Sequence, residues 1–67
     1  MVWDEVKKAF KEGRKIRVNI GGNKIDCLRI QEIGIKRVGD EFIHFVNALD
    51  MNGDSLYCVK QEDVEEI

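Results

Sequence analysis

Residues 25–38, IDCLRIQEIGIKRV, decide how the chain folds. Their apolar positions are Ile25, Cys27, Leu28, Ile30, Ile33, Ile35 and Val38. A strand with one buried face repeats every second residue. Here the repeat slips once at Cys27-Leu28 and again between Ile30 and Ile33, across Gln31. Such a slip marks a bulge or a sharp bend, and Gly34 offers a further place for one. The stretch therefore predicts a long, bent strand, the kind that closes a small barrel.

Working outward, residues 16–20 alternate Ile16, Val18 and Ile20 with Arg17 and Asn19, and predict a first strand. Gly21-Gly22-Asn23 supplies residues that tolerate positive φ and joins the two strands in a tight hairpin. Ahead of them, Val2, Val6, Ala9 and Phe10, with Trp3 beside them, recur at helical spacing. Asp4 and Glu5 stand early and Lys7, Lys8 and Lys11 late, the order that the helix dipole favours, and Gly13 is placed to end the helix. A helix over 2–12 is predicted.

Downstream, Val38-Gly39-Asp40-Glu41 is a second turn. Residues 42–49 then place Phe42, Val46 and Ala48 on one face and Ile43, Phe45 and Leu49 on the other. With both faces apolar, one is expected to meet the core and the other the N-terminal helix or a neighbouring subunit. Asp50-Met51-Asn52-Gly53-Asp54 predicts another hairpin turn, followed by a strand over 55–60. Residues 61–67 read as a helical turn or a short final strand. The whole chain, 1–67, is then one mainly β (α+β) domain: an N-terminal helix and a four- or five-stranded bent antiparallel sheet closing into a small barrel.

Sixty-seven residues hold a single small core, so stability needs help from a disulfide, a metal or a partner chain. Cys27 and Cys58 stand 31 positions apart without a CxxC or Cys/His pattern, and are expected to be reduced core thiols rather than a zinc site or disulfide. No leader or membrane-length apolar stretch is seen, which points to a cytoplasmic protein without a membrane partner. The absence of Pro and Thr, beside abundant Ile, Val, Glu and Lys, leans toward a heat-adapted source.

The formal net charge of −2 argues against a protein that coats duplex nucleic acid. The charge is nevertheless divided along the chain. Residues 7–37 carry ten basic and three acidic side chains, and residues 38–67 one basic and eight acidic. This division predicts a basic and an acidic face, suited to an anionic ligand or to head-to-tail self-association.

The succession GRKIRVNI (13–20) with Gly21-Gly22, then IKRVGDEFIHF (35–45), Gly53 and VKQEDVEEI (59–67) resembles the Sm-like family, a five-stranded bent barrel of the Src-homology-3 type with an N-terminal helix. The resemblance covers most of the chain. It implies rings of about six or seven copies, built by pairing the fourth strand of one subunit with the fifth of the next, that bind single-stranded RNA around the pore. The interface would then draw on Ser55, Tyr57, Val59, Val64 and Ile67. Of the family's RNA-pocket positions, Asp40 and Lys60 are the counterparts, and the span from Gly22 to Asp40 is a few residues longer than in the family.

Among the residues themselves, the basic segment 7–17, KKAFKEGRKIR, is the one feature suited to phosphate. Lys7, Lys8, Lys11, Arg14, Lys15 and Arg17 are its candidate nucleic-acid contacts. His44, the single histidine, has no Ser, Cys or Asp at a spacing that makes a triad and is read as a strand residue. Asp50, Asn52 and Asp54 faintly resemble a calcium loop, but position twelve counted from Asp50 is Gln61. No acid, base and nucleophile converge, and neither a cofactor nor a metal is indicated. The reading is a non-enzymatic RNA-binding or assembly module acting as a homo-oligomer. The alternative is a small protein-interaction or structural module without nucleic acid.

Overall fold

Sixteen residues of straight strand span about 50 Å, whereas the longest dimension of this molecule is 36 Å. The second strand must therefore bend, and the computed structural model, which describes Met1–Ile67, shows where. The elements run α1 (Trp3–Glu12), β1 (Ile16–Ile20), β2 (Asn23–Val38), β3 (Glu41–Asp50), β4 (Leu56–Lys60), a 3₁₀ turn (Gln61–Asp63) and β5 (Val64–Glu66). The ladder between β2 and β3 shifts register between Cys27 and Arg29 and again between Ile30 and Glu32. These are the two places where the apolar repeat slips. Each bulge inserts a residue and bends the strand.

Gly34, by contrast, sits in continuous register opposite Phe45. Its missing side chain has a different use: a Cβ there would lie 2.6 Å from Phe45 Cζ and 2.7 Å from Cε1. The ring occupies the space that any other residue would fill.

All pairings are antiparallel, in the order β4-β3-β2-β1-β5. The β1–β2 turn uses Gly21 at φ 58° and Gly22 at φ 86°, a backbone that glycine adopts without a Cβ penalty. The expected closure is not made: the sheet is open, and β4 and β5 are its free edges. The last segment is both of the expected alternatives in sequence, a 3₁₀ turn and then a short strand.

The inner face of the sheet carries the core. Ile16 and Val18 of β1, Cys27 and Ile30 of β2, Val46 and Ala48 of β3, Val59 of β4 and Val64 of β5 are buried there together with Val6 and Ala9 of α1. Trp3, Met1, Ile33 and Tyr57 pack against this cluster. The helix thus lies on the core side of the sheet and not across its outer face. Its buried stripe is narrower than the sequence suggests, since Val2 and Phe10 are exposed. Gly13 ends it in the left-handed conformation, with the Arg14 amide donating to the Ala9 carbonyl at 3.0 Å.

The start of α1 is tied to the end of the sheet. The Met1 nitrogen donates to the Val64 carbonyl at 2.7 Å, and Gln61 Nε2 donates to the Met1 carbonyl at 3.0 Å. The Trp3 and His44 rings meet edge to face, with centroids 4.6 Å apart. No helix is long and apolar enough to cross a membrane.

Candidate functional site

The six basic candidates divide into two groups. Arg17 lies on the outer face of β1, flanked in the ladder by Asp26 of β2 and Glu65 of β5. Its Nε donates to Asp26 Oδ1 at 2.6 Å, and its Nη1 stands 4.0 Å from Glu65. The hydrogen bond and charge of Arg17 hold the Asp26 carboxyl below its ordinary value, and Asp26 in turn raises the guanidinium. Lys24 completes this row by reaching Glu65 at 3.1 Å.

Arg14, at the exit of α1, is ringed by Glu12 at 3.0 Å, Glu66 at 3.7 Å and Glu5 at 3.9 Å. Its buried Nε and Nη2 make no well-aligned hydrogen bond, so these are ion pairs by proximity alone. Lys7 pairs with Asp4 one helical turn back, at 3.4 Å. Lys8, Lys11 and Lys15 are exposed and have no acidic partner. The contiguous basic segment of the sequence is therefore three engaged side chains and three free lysines.

The candidate interface residues also separate. Val59 and Val64 are buried and Tyr57 packs against the core, so their side chains serve the interior. Ser55 and Ile67 are exposed. What β4 and β5 offer outward is backbone: each has one paired side and one free side.

Other candidates have structural work. Asp50 Oδ1 accepts from the amides of both Asn52 and Asp54 at 3.0 Å, so the calcium-like spacing builds the β3–β4 turn. Of the two thiols, only Cys27 is in the core, where burial pushes it up from its ordinary value. Cys58, expected inside, is exposed, because alternation along β4 places Tyr57 and Val59 inward and Leu56 and Cys58 outward.

His44 sits between Trp3 and a polar cleft of about 190 Å³ shared with Glu41, Lys60, Gln61 and Glu62. A wider cleft of about 430 Å³ separates the end of β1 at Asn19–Gly21 from Cys58–Lys60 of β4. A third, of about 240 Å³, lies on the outer face against Ile43 and Phe45. Sequence reading missed the carboxylates that engage the arginines. Asp26 was available to it, since Arg17 and Asp26 lie equally far from the Gly21-Gly22 turn; Glu65 and Glu66 depend on the long-range β1–β5 pairing.

Comparison of the chain with protein-family models, with curated proteins and with solved structures returned no match. The class defined by the architecture is a mainly β module, one helix on one face of a five-stranded antiparallel sheet.

Proposed function

We propose that the chain is a non-enzymatic assembly module that works as a homo-oligomer, an Sm-like subunit whose barrel is completed by neighbouring copies. The observation that carries this reading is the open sheet, with its first and last positions taken by β4 and β5. An exposed edge is a row of unpaired amides and carbonyls, and joining the two unlike edges of successive copies satisfies both rows. Such a contact is head-to-tail, and a constant rotation between copies closes it into a ring. The small core adds a motive, since ten buried side chains leave a 67-residue domain dependent on further burial.

Single-stranded RNA is the ligand this reading favours, held by Lys8, Lys11 and Lys15. One copy with a formal charge of −2 and three free lysines is a weak phosphate binder. A ring repeats the three lysines around its axis, and repetition raises affinity without any new interaction. A second reading, a protein-interaction module without nucleic acid, is favoured by the carboxylates around Arg14 and Arg17.

Binding of a single-stranded oligonucleotide at several salt concentrations, for the wild type and the Lys8→Ala/Lys11→Ala/Lys15→Ala variant, separates the two. The RNA reading expects weaker binding and a flatter salt dependence in the variant, by about 0.7 in slope for each phosphate left without its lysine. Equal binding, or none in either protein, selects the protein-interaction module.

A further inference from the structure

β5 has no strand on its outward side, yet that side is not bare. In the tight β1–β2 hairpin the residues flanking the turn, Ile20 and Asn23, exchange backbone hydrogen bonds, and alternation aims the amides and carbonyls of Val18 and Ile16 the same way. Arg17 therefore turns its backbone groups to β5, where it meets Glu65, and Val64 and Glu66 turn theirs outward. Both outward groups of Val64 are engaged within the chain. Its amide donates to the Gln61 carbonyl in the 3₁₀ turn, and its carbonyl accepts from the Met1 nitrogen at 2.7 Å. Met1 is seated by a second bond, from Gln61 Nε2 to its carbonyl at 3.0 Å, and packs against the core. β4 carries no such cover. The Asp50 amide donates to the Ser55 carbonyl, so by alternation Leu56 and Cys58 turn their backbone groups outward, and both residues are exposed.

We propose that Met1 and Val2 form an autoinhibitory strap: seated, it closes the β5 edge to a neighbouring copy, and the edge opens when the strap lifts. The inference rests on the edge-to-edge assembly proposed above and adds its regulation. β5 is a strand of three residues, so while Met1 holds the Val64 carbonyl an incoming β4 finds only the backbone groups of Glu66. A neighbour that pairs along the whole of β5 must displace the strap. Only chains with the strap lifted are competent to assemble fully, and the apparent affinity falls by that fraction. Guarding one edge is sufficient, because each contact between copies consumes one β4 edge and one β5 edge.

The test is the concentration at which half of the chains are assembled, read by light scattering over a dilution series for the wild type, Gln61→Ala and Val2→Pro. Gln61→Ala removes the donor that holds the Met1 carbonyl, and the loss of one neutral hydrogen bond is expected to lower that concentration about fivefold. Val2→Pro acts the other way. Val2 is 65% exposed, its amide donates to no backbone carbonyl, and its φ of −69° suits proline. The substitution therefore stiffens the seated strap without touching the β5 edge, and is expected to raise the concentration about threefold. Opposite shifts in the two variants uphold the strap. Equal assembly in all three proteins, or assembly weakened by Gln61→Ala, overturns the strap and leaves the edge-to-edge contact standing. Monomers of all three at every concentration overturn both.

Discussion

Gly34 and Phe45 form a pair in which one residue exists to be covered by the other. A Cβ at position 34 would meet the ring edge at 2.6 Å, too close for a methyl group, so Gly34→Ala must push the ring off the sheet. Phe45 is only half-buried and has room to swing, which puts the cost near the lower end of the overpacking range, about 1 kcal/mol. Urea unfolding checks this. In a Phe45→Ala background the same glycine substitution is expected to cost little, and the difference between the two measures the pair. Asp26 gives a second prediction at this scale. Folding lowers its carboxyl through the Arg17 hydrogen bond, so in acid the unfolded chain binds the proton more readily than the folded one. The pair therefore stabilises the fold above the ordinary carboxylate range. That contribution fades as pH falls through this range and below it. Asp26→Asn is expected to show a flatter loss of melting temperature between neutral pH and pH about 3 than the wild type. Sequence alone placed both residues on a hairpin, yet it read Gly34 as a bend and Arg17 as a phosphate contact. A glycine in a strand is ambiguous until its cross-strand neighbour is known, and a basic residue is free or engaged according to the register.

At the scale of elements, the strands were legible because alternation is a local signal. The two phase slips in residues 25–38 mark the two bulges of β2, and the faces read for residues 42–49 are those of β3. The turn at 50–54 and the start of β4 fall within a residue of the expected bounds. The side of the sheet taken by α1 was not legible. Both faces of β3 are apolar, and nothing local tells which of them a helix covers; the structure seats α1 on the inner face through Val6 and Ala9. The outward Cys58 was missed for a related reason, since a lone cysteine carries no sign of which way its strand faces. If α1 is an integral wall of the core, Val6→Ala removes two methyl groups from a fully buried site and is expected to cost about 2 kcal/mol. A single core of this size supplies only about 3 to 5 kcal/mol, so the variant should melt far below the wild type. An unaltered melting temperature would show instead that the helix is dispensable for the fold of the sheet.

At the scale of the whole molecule, charge is distributed unevenly in its use and not only in its sign. The ion pairs gather on α1, β1, β5 and the adjoining start of β2. The far hairpin and β4 keep unpaired charges beside exposed Ile35, Val38, Phe42 and Leu56. The ion pairs are thus confined to one end of the molecule, where Lys8, Lys11 and Lys15 nevertheless stay unpaired. Sequence predicted the charge division but not this arrangement, because ion pairing across strands depends on long-range pairing. The open sheet, its two unlike edges and its small core all lead to the same claim, that the chain completes itself with copies of itself. Native mass by light scattering after gel filtration, at two concentrations, tests that claim most directly. Assembly predicts a stable particle of about five to seven chains of 7.8 kDa each; a strict monomer at both concentrations would contradict it.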